Sequence, residues 1–157
     1  MVIALSGHSG FIGSHIKKFF YEHDFILVSR DELYGDYMVL AERINGADVV
    51  INSAGYSVSS RWTKKNKKRI FDSRIKVTNN LVKAINYLDR KPGFFINTSG
   101  IALYKYDEKH TEFDYTSNND FLAEVVKAWE NSADAVDKNV KLITMRLGMV
   151  LGREGGA

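Results

Sequence analysis

The sequence VIALSGHSGFIG, at residues 2–13, decides the fold of this chain of 157 residues. Its first five residues form a short apolar run, and glycines follow at Gly7, Gly10 and Gly13. Beyond the first glycines, apolar side chains recur at positions 12, 16, 19 and 20, which is the spacing of one helix face. The stretch therefore predicts a strand, a tight glycine turn and an amphipathic helix.

The glycine spacing, in this context, indicates a site for the phosphates of a nucleotide. One glycine permits a tight turn, the next lets the backbone approach a pyrophosphate, and the third allows close packing of helix on strand. The amide groups at the start of the helix then face the anion. A plain tight turn is the alternative interpretation, but the strand before the glycines and the helix after them favour nucleotide binding.

The rest of the chain alternates apolar runs with helical stripes. Four further strands are predicted at residues 25–28, 48–52, 94–98 and 141–145. Helices are predicted at residues 38–44, 70–88 and 122–136, with Pro92 and Gly93 ending the second of them. Apolar strands that alternate with helices are typical of a parallel sheet. The sequence thus predicts an α/β fold, a Rossmann-like doubly wound parallel sheet with helices on both faces.

Length and composition narrow the class of protein. The length predicts a single domain over residues 1–157. The chain has no cysteine, and its four histidines show no pairing typical of metal ligands, so we expect no metal site. Without an apolar run long enough to span a bilayer and without a basic leader, we expect no membrane association and a cytoplasmic protein.

A basic run at residues 61–69 holds much of the positive charge of the chain. It lacks interleaved aromatic residues beyond Trp62, so we expect no nucleic acid partner. The favoured interpretation is a solvated helix start, and a ligand that carries phosphate is the alternative.

In dinucleotide-binding folds, the residues after the second strand contact the adenosine ribose. An acidic residue at this place binds a free 2′-hydroxyl, whereas an arginine favours a 2′-phosphate. The chain offers both, because Arg30 precedes Asp31. Ser29 and Arg30 together favour NADP as the cofactor, with NAD as the alternative. Side chains that merely face solvent are the other interpretation.

A second turn of small residues follows the third strand, at residues 52–55 with the sequence NSAG. Ligands of open parallel sheets lie at the carboxyl ends of the strands, so two such turns side by side suit one extended cofactor. A buried tight loop is the alternative.

With these three motifs in order, the chain resembles the short-chain dehydrogenase/reductase superfamily, in its extended and atypical branch that contains the sugar-nucleotide epimerases. More narrowly, it is similar to NAD(P)-dependent epimerase family proteins of uncertain substrate. The segments that carry the resemblance are GHSGFIGSHI at 7–16, GADVVINSAG at 46–55, RWTKKNKKRIFDSR at 61–74, DFLAEVVKAWE at 120–130 and RLGMVLGREGGA at 146–157. Such proteins usually continue into a C-terminal lobe that closes over the substrate, so we expect only their N-terminal Rossmann part here.

The resemblance implies a nicotinamide cofactor held by the glycine turn and by neighbouring loops. The implied residues of the turn are Gly7, Ser9, Gly10, Phe11, Ile12 and Gly13. Those of the loops are Ser29 and Arg30 at the ribose, Asp36 near the adenine, and Ala54 and Gly55 behind the ribose and phosphates. Ser99 falls where the superfamily places the hydroxyl that orients the substrate carbonyl.

Two departures from the superfamily bear on catalysis. The positions of its catalytic tyrosine and lysine fall on Leu122 and Val126, which move no proton, and that of its asparagine falls on Arg74. Ser99 alone remains of the catalytic groups. Tyr104 is the nearest substitute proton donor, and an aromatic residue packed on the edge of the sheet is the alternative interpretation of it.

We therefore expect an NAD(P)(H)-dependent epimerase or oxidoreductase that transfers hydride at a carbonyl or hydroxyl carbon of a small molecule such as a nucleotide sugar. The alternatives are a sensor or scaffold that binds NADP(H) without turnover, and a fragment that binds the cofactor only. The sequence leaves open whether the chain forms a homodimer.

Overall fold

The computed structural model describes residues 1–114, 118–153 and 155–156. Five strands form one sheet: β1 (Val2–Ser6), β2 (Asp24–Val28), β3 (Val49–Asn52), β4 (Phe94–Gly100) and β5 (Lys141–Leu147). All of them run parallel, in the order β2-β1-β3-β4-β5. Two short strands, β6 (Leu151–Gly152) and β7 (Gly155–Gly156), form a separate antiparallel pair. The predicted α/β fold with a parallel sheet is confirmed.

Helices cover both faces of the sheet, as the sequence predicts. They are α1 (Phe11–Phe19), α2 (Arg30–Tyr34), α3 (Tyr37–Ile44), α4 (Lys64–Tyr87) and α5 (Phe121–Ala133). On one face, Ile16 of α1 packs against the cluster that contains Leu5 and Ile51. On the other face, α2 to α5 bury a larger core around Val50 and Phe95. Alternate residues of each strand thus enter different cores, because successive side chains point to opposite faces.

Helix α2 and a short 3-10 helix at Ile101–Leu103 were missed in the sequence. Helix α2 is five residues long, and Ser29, which follows β2 directly, caps its first turn. The Ser29 hydroxyl accepts a hydrogen bond from the Glu32 amide, and the Glu32 carboxylate accepts one from the Ser29 amide. The sequence carries this capping box, Ser-x-x-Glu, which is a known signal for a helix start.

The prediction that Pro92 and Gly93 end the long helix is wrong. Helix α4 ends at Tyr87, because Leu88 has extended backbone angles (φ −64°, ψ 138°). The Leu88 side chain lies in the larger core and is 8% exposed. The helix therefore ends before the proline is reached.

The strand order places one crevice at the centre of the sheet. From β1 the chain moves outward to β2 on one side, then returns to place β3 on the other side of β1. At such a reversal the connections leave the carboxyl ends of β1 and β3 in opposite directions and open a gap where ligands bind. In register, Ser6 at the end of β1 lies opposite Asn52 at the end of β3.

None of the helices in the described ranges combines the length and the hydrophobicity that crossing a lipid bilayer requires.

Two glycines with positive φ allow a matched test of the packing at this crevice. Gly7 has φ +73°, and a Cβ atom built on it would lie 2.5 Å from the carbonyl carbon of Ser53. Gly46 has φ +83°, with no atom within 4 Å of the corresponding position. We expect Gly46→Ala to lower the free energy of unfolding by about 1 kcal/mol, from backbone strain alone. Gly7→Ala should cost a further ~1–3 kcal/mol from overpacking. Urea unfolding of both variants measures the difference, and equal costs would contradict the close contact.

Candidate functional site

The glycine turn lies at the crevice and is closed by its own backbone. The amide of Gly10 donates to the carbonyl of Gly7 at 2.9 Å, which ends the turn where α1 begins. Gly13, in the first turn of α1, is buried, and a Cβ atom on it would overlap the Gly7 carbonyl. Gly7, which has a positive φ, and Gly13 are therefore required for the helix to start this close to β1.

The N-terminus of α1 differs from those of α2 to α5. Gly10 at its N-cap offers no side chain to the first-turn amides, and that turn holds no acidic residue. Among the described residues, the other α-helices each have a side chain that accepts a hydrogen bond from the first turn: Ser29, Asp36, Thr63 and Asp120. The amides of α1 are thus left for an external acceptor, and the helix dipole favours an anion there.

A second turn, after β3, is fixed against the first one. The Ser53 hydroxyl donates to the carbonyl of Ser6 at 2.7 Å, and the Ser53 amide donates to the same carbonyl at 3.2 Å. The Asn52 side-chain oxygen accepts from the Ser6 hydroxyl at 2.7 Å and from the Ala54 amide at 3.3 Å. Ser6 and Asn52 are buried, so these bonds form where water competes little.

The two turns form the floor of a cleft of about 240 Å³. Six of the predicted cofactor residues line it: Gly7, Ser9, Gly10, Arg30, Ala54 and Gly55. Of the other lining residues, His8 and Ser53 belong to the two predicted turns, whereas no contact was predicted for Val28, Leu33, Tyr34, Tyr56, Ser73 and Val77. Three loops that are distant in sequence thus meet at one site, as the motif order predicts.

The remaining predicted cofactor residues lie beside this cleft rather than in its lining. Phe11, Ile12 and Gly13 form the first turn of α1. The Ser29 hydroxyl is used to cap α2, and the Asp36 carboxylate accepts from the Met38 amide at 2.7 Å to cap α3. The sequence offered no means to distinguish these capping roles from ligand contacts, because both use the same oxygen atoms.

A polar network occupies the carboxyl ends of β4 and β5. The Ser99 hydroxyl donates to Oε1 of Glu130 at 2.6 Å. Arg146 donates to both carboxylate oxygens of Glu130, each at 2.9 Å, and to the Tyr104 phenol oxygen at 2.7 Å. Ser99 and Tyr104, the two predicted catalytic residues, are therefore connected through one ion pair.

The charges of this network are stabilised by its own hydrogen bonds. Burial opposes ionisation of Glu130, but bonds from Arg146 and Ser99 outweigh it and lower the pKa of the carboxyl group below its usual value. The bond to Glu130 in turn raises the pKa of Arg146. At neutral pH Glu130 is thus a carboxylate, and the proton of Ser99 is directed to it.

Glu130 and Arg146 were not predicted as site residues, although both lie in segments that carry the family resemblance. Glu130 follows Leu122 and Val126 at intervals of four residues, so all three share one face of α5. The carboxylate of Glu130 on that face was the feature from which this site residue could have been predicted. The partners of this carboxylate could not be identified from the sequence, because Ser99 and Arg146 become neighbours only when β4 and β5 pair in the observed register.

Arg74 is a cation held near the cleft without a carboxylate among the described residues. Its guanidinium donates to the carbonyls of Tyr56 and Ile70 at 2.9 and 3.2 Å, and lies 5.1 Å from the centre of the Trp129 ring. Burial lowers the pKa of Arg74 to about 10. Two residues that line the cleft lie beside Arg74: Tyr56, whose carbonyl accepts from it, and Gly55, on which a Cβ atom would lie 3.2 Å from this guanidinium.

Comparison with known proteins identifies related sequences. The model described as the NAD dependent epimerase/dehydratase family matches residues 3–156. The chain is 30% identical to a chloroplastic SDR39U1 homologue of Arabidopsis thaliana, covering 100% of this chain and 51% of that protein. It is 32% identical to the mouse epimerase family protein SDR39U1, covering 100% of this chain and 57% of the relative. The chain thus spans about half the length of the curated relatives it matches.

Solved structures of epimerase family proteins are similar to this chain as well. The crystal structure of human SDR39U1 with NADPH has a TM-score of 0.89 at 28% identity, covering 100% of this chain and 57% of the human one. A UDP-glucuronic acid 4-epimerase of Bacillus cereus, solved with NAD, has a TM-score of 0.79 at 19% identity, covering 99% of this chain and 59% of that one. At that lower identity, the second likeness concerns the fold alone.

The ion pair of Glu130 gives a prediction with a defined pH dependence. At pH 7, Glu130→Gln should lower the free energy of unfolding by about 2 kcal/mol, because Arg146 and Ser99 lose a charged acceptor. The folded pKa of Glu130 lies below the usual 4.5, so its contribution is present above pH 4.5 and is lost as the pH falls through the folded value. The difference between wild type and variant should therefore shrink in acid.

Asp72→Asn is the control for this experiment, because Asp72 pairs with Lys68, whose side chain is 70% exposed. Its loss should cost less than about 1 kcal/mol. Urea unfolding at pH 7 and at pH 3.5 measures both variants. A Glu130→Gln effect as small as that of the control, or one independent of pH, would contradict the assigned network.

Proposed function

The chain belongs to the NAD-dependent epimerase/dehydratase family, and on that premise we propose that it binds NADP(H) and acts in hydride transfer at a carbonyl or hydroxyl carbon. The observation that carries the proposal is the cleft between the two turns, where the glycine turn at the uncapped N-terminus of α1 meets small residues of the second turn. Human SDR39U1, which is similar along the whole chain, was solved with NADPH.

The residues of the cleft fit a dinucleotide. A Cβ atom on Gly10 would touch only the Gly7 carbonyl among described residues outside its own helix, at 3.3 Å, so the glycine leaves the cleft open above the amides of α1. In our proposal the Gly7 turn and these amides hold the pyrophosphate, as in other dinucleotide folds. Ala54 and Gly55 would lie behind the ribose and phosphates, and Arg30 would hold the group at the 2′ position of the adenosine ribose. A bound nicotinamide supplies or accepts the hydride.

The network at β4 and β5 supplies the polar groups for a substrate oxygen. Because Ser99 directs its proton to Glu130, its lone pairs are left to accept a hydrogen bond from a substrate hydroxyl. The Tyr104 oxygen accepts from Arg146, and the described residues offer its proton no acceptor. We therefore assign Tyr104 as the proton donor to a carbonyl oxygen that becomes a hydroxyl. The resulting phenolate, next to the Arg146 cation, regains its proton from solvent.

A second candidate is an NADP(H)-binding sensor or scaffold without turnover. The observation that favours it is that the two positions of α5 where the superfamily has its catalytic tyrosine and lysine hold Leu122 and Val126 instead. Val126 is 5% exposed, and its Cγ2 atom lies 3.5 Å from the Cβ position of Gly100. In this alternative the two apolar side chains only pack the helix against β4.

Turnover by the wild type and by Tyr104→Phe distinguishes the two candidates. We expect the wild type to bind NADPH, seen by fluorescence titration, and to oxidise it with a carbonyl compound from a panel that includes 4-keto nucleotide sugars. Tyr104→Phe should bind NADPH as the wild type does and lose at least about a hundredfold in kcat, because general acid catalysis is removed.

Tyr106→Phe is the matched control, since Tyr106 lies on the same loop, is 74% exposed and donates to Asp120 rather than meeting Arg146. It should retain turnover. Binding of NADPH without turnover across the whole panel would overturn the assigned reaction and favour the sensor. Absence of NADPH binding would overturn both.

A further inference from the structure

A second cavity, of about 360 Å³, lies next to the cleft. It is formed where α2 and the chain after the second turn meet the first two turns of α4. Arg30, Tyr34 and Tyr56 line both spaces, so the cavity opens directly off the end of the cleft that α2 borders. A ligand in the cleft can therefore extend one group into this cavity without leaving the protein surface.

The charges of this cavity are unbalanced. Four cations line it, from α2 and α4, with one carboxylate, Asp72. That carboxylate is occupied, because it accepts from Lys68 at 2.6 Å and from Lys76 at 3.1 Å. For the other three cations, Arg30, Lys65 and Arg69, the described part of the chain provides no ion pair. The cavity thus presents a net positive field to a ligand.

The two arginines are positioned by aromatic rings. The guanidinium of Arg30 lies 5.8 Å from the centre of the Tyr34 ring, and that of Arg69 lies 5.7 Å from the centre of the Tyr56 ring. Such stacking restricts the side chain and leaves its N–H groups available for hydrogen bonds. Since both tyrosines also line the cleft, each arginine is held at the boundary between the two spaces.

The basic run at residues 61–69 is divided between two surfaces by its helical geometry. Lys65 and Arg69 are four residues apart and face the cavity. Lys67 lies on another side of α4, 4.9 Å from the centre of the Phe121 ring and 5.8 Å from that of Trp62. The run is therefore more than a solvated helix start, because part of it is directed at the cavity.

From these observations we infer that the cavity binds a phosphate monoester, the 2′-phosphate of NADP, and that Lys65 and Arg69 of α4 complete the site that Arg30 begins. The inference rests on the proposed cofactor binding and deepens it. A phosphate monoester carries nearly two negative charges near neutral pH and suits the planar donors of arginine. NADH lacks this group, so the cavity selects between the two cofactors.

Calorimetric titration of the full chain tests this site with probes that require no turnover. The wild type should bind 2′,5′-ADP more tightly than 5′-AMP, and NADPH more tightly than NADH. Arg69→Ala should weaken binding of NADPH and of 2′,5′-ADP by about tenfold to a hundredfold, the range for a hydrogen bond to a charged group. Binding of NADH and of 5′-AMP should not change. Lys65→Ala should also weaken binding of NADPH and of 2′,5′-ADP, but by a smaller factor, because a lysine presents a point charge rather than a planar set of donors.

Lys64→Ala is the matched control. Lys64 precedes Lys65 in the first turn of α4, is exposed, and does not line the cavity. It should leave the preference for NADPH intact. Circular dichroism of each variant should match the wild type, since Lys65 and Arg69 are exposed side chains.

The outcomes separate this inference from the proposed function. If neither NADPH nor NADH binds the wild type, the proposed function fails. If both bind and Arg69→Ala weakens them equally or not at all, the phosphate site is overturned while cofactor binding stands. If Arg69→Ala reduces binding of a single-stranded oligonucleotide and leaves NADPH unaffected, the cavity serves nucleic acid, and the inference is likewise overturned.

Discussion

The close backbone contact between Gly7 and the Ser53–Ala54 peptide is the constraint on which the site depends. It brings the ends of β1 and β3 together so tightly that no side chain fits between them. Hydrogen bonds from Ser53 to the Ser6 carbonyl, and from Ser6 to Asn52, maintain this distance. With the two turns fixed, the amides of α1 face a cleft whose opposite wall is also backbone. An anionic ligand is suited to the space between the two turns, because backbone amides can approach it there without side chains in between.

The same constraint extends towards the other half of the sheet. Asn52 also donates to Thr78 of α4 at 3.0 Å and to Asn97 of β4 at 2.8 Å, and Thr78 accepts a bond from Trp129 of α5. This buried chain of hydrogen bonds connects the second turn to both long helices. The position of α5, and with it that of the Glu130 network, is therefore coupled to the position of the cleft.

Sequence alone was sufficient for features set by neighbours along the chain. The glycine turn was predicted from its own spacing, and the position of Arg30 at the edge of the cleft from its place after β2, because both depend on a strand followed at once by a turn. The role of Asp36 was harder to predict, since a carboxylate before a helix suits a cap as well as a ligand. The Glu130 network could not be predicted, because it requires α5 to pack beside β4 and β5 to pair in one register with β4.

The most direct test of the central claim is an NMR titration of the labelled chain with NADPH, following each backbone amide. If the glycine turn receives the pyrophosphate, the largest shifts should fall on residues 8–13 and 53–55, with smaller ones near Arg30. Saturable shifts confined to other parts of the sheet, or no saturable shift at millimolar NADPH, would contradict the account.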